Sequence, residues 1–591
     1  MPKRAFFLRM LAVIASGFMA ALLFPPFSIA TLAWICVVPL LAAVWSLDGR
    51  HRAKKGFLYG YIAGAISFGI QVSWLGTVSW LGPIVLAGYL ALYWGAFGAF
   101  AATFGNPWYR KTETLPETPL RSLFTAFTHA SIFAGLEWLR GWMLTGFGWN
   151  GLGVAFHDTL VISQAADLLG VTGLTLIVVF FQAVLVQAGH RLWKASREGL
   201  RRPRWDFAVA ALCVGIVLSY GILRIAGESG RESLPLKALL VQINIPQDAG
   251  QVVWEAERVH MAYEDETISA LEALEEKDEQ ALQAAIGENS EGSIQLSSPD
   301  WVIWPETALT GRIIQTDDGE WGAWMQNVDT IARVREAGNF ELIYGAVEIA
   351  GEIRDGKLVE KEKPEFYNSI AFQNPEDDLR TFRKRHLVIF GETIPFVDSI
   401  PFLKKIYEQQ AGAEYTGSFT AGPSTDPVPV QLNGREIQVI PSVCFEDTVP
   451  RLTRKFVRDA PQIIVNLTND GWFDESQAAA QHFANARFRA IELRRPMLRC
   501  ANTGVTAAID TLGSTISPET GAPQVIADEN GSTFLRGNLL VKVQIPVQPS
   551  FSLYALIGDW GIIGLAVIGL ALSIVAYRKK PLAQPTVRAR R

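Results

Sequence analysis

An α-helical membrane bundle of about eight spans, carrying one extracytoplasmic α/β domain, is the fold class that three features of the chain predict. Of its 591 residues 49% are hydrophobic and 19% charged, where soluble proteins average about 25% charged. The apolar surplus is local, lying before residue 230 and after residue 550. Between those limits short β-branched runs alternate with helical stretches, the pattern of sheet layered with helices.

A bilayer core of ~30 Å takes about 20 apolar residues per helix. Runs near 6–23, 29–45, 57–75, 84–104, 123–139, 160–186, 207–225 and 556–577 supply them. The 123–139 run is the weakest, since it carries His129 and Glu137. Basic residues cluster at Lys3 and Arg4, from Arg50 to Lys55, at Arg110, Lys111 and Arg121, between 191 and 204, and in the tail from Arg578. Every second connection is thus basic, with Arg140 the main exception, and Lys and Arg are retained on the cytoplasmic side. Residues 1–227 therefore read as spans one to seven, 228–550 as an extracytoplasmic domain, and 551–591 as an eighth span with a basic cytoplasmic tail. Both termini fall inside. Ser28-Ile-Ala30 loosely resembles a signal-peptide cleavage site. Pro25-Pro26 and the apolar run after it read better as a turn between two spans.

A net charge of −5, with no basic stripe interleaved with aromatics, argues against a nucleic-acid partner. Cys36, Cys213, Cys444 and Cys500 show no zinc-type spacing, and no metal is expected. Cys36 and Cys213 lie inside apolar runs; a Cys444–Cys500 disulfide stays open.

In the middle section, strands are expected over 236–243, 301–304, 341–347, 369–372, 437–443, 462–467 and 506–510, and helices over 256–285, 321–337 and 477–493. The polar 288–298 stretch reads as an exposed loop. The 395–422 stretch carries Phe396, Ile400, Phe402, Leu403, Ile406 and Tyr407 among Pro, Gly and Lys. It reads either as a helix packed on the domain or as a lid whose apolar face covers an acyl chain.

Three segments bear chemistry. Val439-Ile-Pro-Ser-Val-Cys-Phe-Glu446 runs up a strand to the thiol of Cys444. Trp301-Val-Ile-Trp-Pro-Glu306 ends a strand on a carboxylate beside a rigid proline. Lys384-Arg-His-Leu-Val-Ile-Phe-Gly-Glu392 places a lysine in a basic run. A thiol is mostly protonated at neutral pH and needs help to attack. A carboxylate can take its proton, and a lysine can hold the oxyanion of a tetrahedral intermediate.

This set, in order, resembles the nitrilase superfamily and within it the apolipoprotein N-acyltransferases. Asn466-Leu-Thr-Asn-Asp470-Gly-Trp-Phe473, Gln481-His-Phe, Arg487-Phe-Arg-Ala-Ile-Glu492 and Ala501-Asn-Thr-Gly504 extend the likeness. So do Glu137-Trp-Leu-Arg-Gly-Trp142 with Thr145-Gly-Phe-Gly-Trp149, and Val241-Gln-Ile-Asn-Ile-Pro-Gln247 leading to Trp254. The resemblance implies an αββα sandwich for the insert. It implies Glu306 as general base and acid, Lys384 as oxyanion stabiliser and Cys444 as nucleophile. Glu392 and Glu446 match glutamates near that triad, as orienting groups or proton carriers. Trp254 falls on the substrate side, with Phe396, Phe402 and Tyr407 of the lid. The residue after the nucleophile is often Tyr and is Phe445 here, which leaves only its backbone N–H for the oxyanion. Lys384 is flanked by Arg rather than by the Tyr-Asn often seen upstream.

The activity so implied is acyl transfer from a membrane phospholipid, through a Cys444 thioester, to the α-amino group of diacylglyceryl-cysteine on an apolipoprotein. It implies no cofactor, and a bacterial inner membrane with the catalytic domain on the periplasmic face. A membrane-tethered amidase that hydrolyses its thioester is the alternative, and a non-catalytic scaffold a more distant one.

Overall fold

A computed structural model describes residues 2–108, 118–198, 204–228, 230–248, 251–287, 297–389, 391–393 and 418–578. Its contacts form two compact units. Met1–Ser73, Pro83–Leu223 and Ile557–Arg591 make the first; Trp74–Gly82 and Arg224–Leu556 make the second.

Among the described residues, five helices are long and apolar enough to cross a membrane: Lys3–Ala21, Gly82–Ala102, Val171–Arg197, Trp205–Glu228 and Trp560–Arg578. Arg52–Gln71 and Pro119–Arg140 are as long but more polar. Two expected spans are interrupted. The 29–45 run is a short 3-10 turn, Ala30–Trp34, followed by Val38–Trp45. Gln182 takes the backbone groups freed at that break, accepting from Val37 N at 2.6 Å and donating to Ala33 O at 2.8 Å. Such repair is what an interrupted helix needs where water is scarce. The 160–186 run breaks at Gly170 (φ +71°), and the long helix is Val171–Glu198. The buried acid Glu137 is also satisfied: its oxygens accept from Thr175 Oγ1 at 2.6 Å and Leu152 N at 2.9 Å.

Among its described residues the second unit holds sixteen strands. In chain order they are β1 (Ser233–Gln242), β2 (Gln247–Asp248), β3 (Gln251–Val252), β4 (Trp301–Ile303), β5 (Arg312–Gln315), β6 (Trp321–Ala323), β7 (Glu341–Arg354) and β8 (Lys357–Glu360). β9 (Phe366–Gln373), β10 (Leu379–Arg383), β11 (Val428–Leu432), β12 (Arg435–Val443), β13 (Gln462–Thr468), β14 (Met497–Ala501), β15 (Ala507–Ile509) and β16 (Gly537–Pro546) follow. One large sheet runs β10-β9-β7-β4-β1-β16, with β5, β6 and β8 on its margin; a second runs β11-β12-β13-β14-β15, and β2 and β3 pair as a two-stranded ribbon. In each of the two larger sheets three central strands are parallel, β1, β4 and β7 in one and β12, β13 and β14 in the other.

Period-2 alternation builds the layers. Leu236, Ala238 and Leu240 of β1, with Trp301 and Ile303 of β4, face a core shared with Val439, Ile464 and Leu498 of the second sheet. Their neighbours Leu239, Val241 and Val302 face the opposite way, onto Val259 and Tyr263 of helix Ala256–Gly287 and Val334 of helix Met325–Glu336. Ala490 and Leu493 of helix Gln477–Leu493 extend the shared core beyond the second sheet. The order is helix, sheet, sheet, helix, as the resemblance implies. The expected helix over 321–337 is shorter, because Trp321–Ala323 pairs with β5 as a strand. β16 goes unpredicted; its Lys542 and Gln544 dilute an apolar run that pairs along all of β1.

Candidate active site

Parallel strands deliver side chains to a common edge, beyond their carboxyl ends. β4 ends at Ile303, so that Trp304-Pro305 carries Glu306 past the edge. β12 ends at Val443, and Cys444 opens the 3-10 turn Cys444–Thr448. Cys444 sits at φ +52°, a left-handed conformation that is costly for any residue with a Cβ. A sharp strand-to-turn bend of this kind pushes a side chain out of the sheet.

Lys384 follows directly on β10 and is almost fully buried. Its Nζ donates to Glu392 Oε1 at 2.8 Å and lies 3.7 Å from Glu306 Oε1. Asn368 Nδ2 donates to Glu306 Oε1 at 2.7 Å and to Glu392 Oε1 at 2.8 Å. Glu306 Oε2 is buried with no aligned hydrogen-bond partner among the described residues, although the Cys444 thiol is close enough to ease its ionisation. Glu306, Lys384, Glu392 and Cys444 are thus brought together in one cluster, with Glu306 and Lys384 buried and Glu392 and Cys444 partly exposed.

The electrostatics divide the work. Burial raises the Glu306 carboxyl above its ordinary range; Lys384 opposes this and Glu392 adds to it. Burial alone would lower Lys384, yet Glu392, Glu306 and Cys444 hold its ammonium well above the usual lysine range. Burial and the facing Glu306 push the Cys444 thiol well up. The upward shift of Cys444 favours its protonated thiol, and a neighbouring carboxylate able to take that proton would form a thiolate beside the fixed Lys384 cation.

Glu446 stands apart from that exchange. Its Oε1 accepts from Arg385 N at 2.8 Å and His386 N at 2.9 Å, and its Oε2 from Val443 N at 2.8 Å. It ties the segment after Lys384 to the strand before Cys444. Phe445 stacks on His386 with centroids 6.0 Å apart. Burial, Arg451 and Lys384 press His386 down to about 4, so the imidazole is neutral.

The Trp254 ring lies 3.9 Å beneath the Arg258 guanidinium and packs against the core around Leu239. Phe396, Phe402 and Tyr407 fall outside the described residues. Cys444 and Cys500 are both free, so they form no disulfide. Among the described residues no group of three or more His, Cys, Asp or Glu could hold a metal ion.

Three features escape sequence reasoning. Tyr367-Asn368, the kind of pair missing beside Lys384 in the chain, stands next to it in space on β9, where Asn368 O accepts from Lys384 N at 2.8 Å. The expected strand over 369–372 starts one residue too late to include it; a buried amide in an apolar run was the available signal. His482 lies between Asp470 (2.7 Å) and Asp447 (2.8 Å), both also reached by Arg499. Trp74 donates to Gln481 Oε1 at 3.2 Å and meets the Phe473 ring at 4.4 Å.

Residues 16–184 match the model of the apolipoprotein N-acyltransferase N-terminal domain, and residues 275–528 match that of the carbon-nitrogen hydrolases. The apolipoprotein N-acyltransferase of Geobacter metallireducens is 28% identical over 98% of this chain and 97% of its own length. That of Photobacterium profundum is 26% identical over 98% of each chain. That of Caulobacter vibrioides is 29% identical, covering 95% of this chain and 93% of its own.

Proposed function

The chain belongs to the apolipoprotein N-acyltransferase family, and we propose that it moves a fatty acyl chain from a membrane phospholipid to the α-amino group of an apolipoprotein's N-terminal diacylglyceryl-cysteine. The convergence of Glu306, Lys384 and Cys444 in one cluster carries this reading.

In the first half-reaction Cys444 Sγ attacks the acyl ester carbonyl while Glu306 Oε2 takes the thiol proton. The Lys384 ammonium and the Phe445 N–H hold the oxyanion. The C–O bond breaks, Glu306 returns its proton to the departing lysophospholipid oxygen, and a thioester remains. In the second, the neutral α-amino nitrogen attacks the thioester and Glu306 takes a proton from it. The C–S bond breaks, an amide forms, and the proton goes back to the thiolate. Glu392 holds the lysine, and Glu446 holds the segments that bear the lysine and the thiol. Trp254 takes the substrate side, and Phe396, Phe402 and Tyr407 the acyl chain.

Both substrates are lipids, which accounts for a membrane-integral enzyme. We place it in the bacterial inner membrane with eight spans, residues 1–227 bearing seven and 551–591 the eighth with the basic tail. The alternation of Lys and Arg between connections supports both termini on the cytoplasmic side and the 228–550 domain on the periplasmic face.

Intact mass after incubation with phospholipid tests the reading. A hydroxylamine-sensitive gain of one acyl chain is expected in the native chain and not in Cys444→Ala. No gain, with lipid and protein intact, overturns the acyl-enzyme; free fatty acid without amide product favours the amidase.

A further inference from the structure

Glu306 has two oxygens but the chemistry needs only one of them for proton exchange, and the surroundings treat the two differently. Oε1 accepts from Asn368 Nδ2 and faces Lys384 Nζ, whereas Oε2 is buried with no aligned hydrogen-bond partner among the described residues, the Cys444 thiol lying near the carboxyl. Asn368 is itself buried on β9, held in place because β9 pairs with both β7 and β10. One amide nitrogen spans two carboxylates, using both of its N–H groups. That use fixes the orientation of the amide, since the oxygen end would repel both acids. Asn368 Oδ1 is left buried and unpartnered among the described residues, a cost that the fold has no reason to bear for strand pairing alone.

We propose that Asn368 is a positioning residue for the acyl transfer: its amide pins Glu306 Oε1 to Glu392 Oε1, so that Oε2 of Glu306 alone is presented to the Cys444 thiol. The proposal rests on the acyl-enzyme reading above. The two N–H groups also favour the charged form of each carboxylate, so Asn368 keeps Glu306 competent as a base in a site whose burial works against it. The groups facing Glu306 are Lys384 beyond β10, Glu392 in the segment after it, Cys444 at the end of β12, and Asn368.

The test is the rate of Cys444 acylation by phospholipid vesicles as a function of pH, in the full-length protein, for the native chain, Asn368→Ser and Asn368→Asp. Base catalysis fails as Glu306 is protonated, so the acid limb of the profile reports that carboxylate. Asn368→Ser keeps one donor and loses the bridge. A rate about tenfold lower at the optimum is expected, the worth of one charge-assisted hydrogen bond, with the acid limb moved to higher pH. Asn368→Asp sets a third carboxyl against the other two and is expected to move the limb further, by roughly one pH unit or more.

A fall in rate with the acid limb unmoved in folded variants makes Asn368 a structural residue and overturns the proposal. So does a loss that follows unfolding in both variants. Alkylation of Cys444 by iodoacetamide reads the same limb without lipid. A native chain that forms no thioester, which defeats the acyl-enzyme reading, therefore leaves the Asn368 test standing.

Discussion

Lys384 is bonded to Glu392 at 2.8 Å, while Glu306 stands off at 3.7 Å. The cation is thus anchored by one carboxylate and stands back from the other, the one proposed to exchange protons. Replacing Glu392 with Gln takes the charge from that anchor, and Lys384 is expected to close on Glu306 and neutralise the base. Acylation of Cys444 should slow about tenfold or more, the scale of a hydrogen bond between charged groups. A time course of adduct mass checks this, and an undiminished rate would show that Glu392 does not hold the lysine.

Glu446 predicts a different balance of effects. Its two oxygens accept three backbone N–H groups, and Glu446→Gln sets an amide NH2 against at least one of them. An unsatisfied buried donor costs about 1–3 kcal/mol, so thermal unfolding in detergent should show a clear fall in Tm along with lost activity. Glu392→Gln should lose activity with the smaller fall. Equal Tm values for the two variants would remove the distinction drawn here between a clamp and an anchor.

The φ of +52° at Cys444 makes a prediction independent of chemistry. Glycine adopts this region freely, whereas Ala does not. Cys444→Gly should therefore be at least as stable as Cys444→Ala, with a difference of about 1 kcal/mol in favour of Gly. Both lack the thiol, so the comparison is of unfolding alone. A more stable Ala variant would mean that the turn relaxes and that the nucleophile is not held under strain.

What the sequence makes legible, and what it hides, follows from the range of each signal. Glu306 and Cys444 could be read because each ends an apolar strand, a local pattern. Lys384 could not be told from Arg383 and Arg385 by charge; only its place in the resembling motif singles it out, and its near-complete burial comes from packing. Asn368 showed only as a polar residue in an apolar run, and its role could not be read because its partners Glu306 and Glu392 come from other segments of the chain. The break at Ile35–Val37 was missed because hydropathy counts apolar residues and does not see Gln182 repairing a backbone from another helix, and the break at Gly170 was missed because one glycine leaves the apolar run unchanged.

His482 carries a pH prediction. Burial would lower its pKa, but Asp447 and Asp470 raise it from 6.5 to about 9. A raised folded-state value stabilises the charged form, so the contribution is fully present below 6.5 and is lost as pH rises through about 9. Asp470 is shifted downward and acts at lower pH, outside that window. The native chain should lose Tm progressively over this interval, and His482→Gln should start lower and decline less. Parallel Tm curves for the two would show that the imidazole is not charged between its two acids.

Gly345 makes the strongest case for a residue that shapes the site without touching the chemistry. It lies in β7, where Gly345 N donates to Pro305 O at 3.0 Å and Gly345 O accepts from Ala308 N at 3.0 Å. A Cβ added there would stand 2.4 Å from Thr307 N, 2.5 Å from Glu306 Cα and 2.6 Å from Pro305 O. All three are backbone atoms, so no side chain can turn aside, and the segment bearing Glu306 must move. A shift of about 1 Å in a catalytic group costs on the order of a hundredfold in rate. Gly345→Ala should therefore cut Cys444 acylation by about that factor, while iodoacetamide still reaches the thiol. Since Gly345→Ala also overpacks a strand, a loss of about 1–3 kcal/mol in stability is expected alongside. The discriminating measurement is the alkylation profile against pH. Displacing Glu306 takes the base from the thiol, so alkylation should lose its native acid limb and rise only as bulk hydroxide deprotonates Cys444. A native profile in Gly345→Ala would mean that Glu306 holds its place and that β7 yields instead.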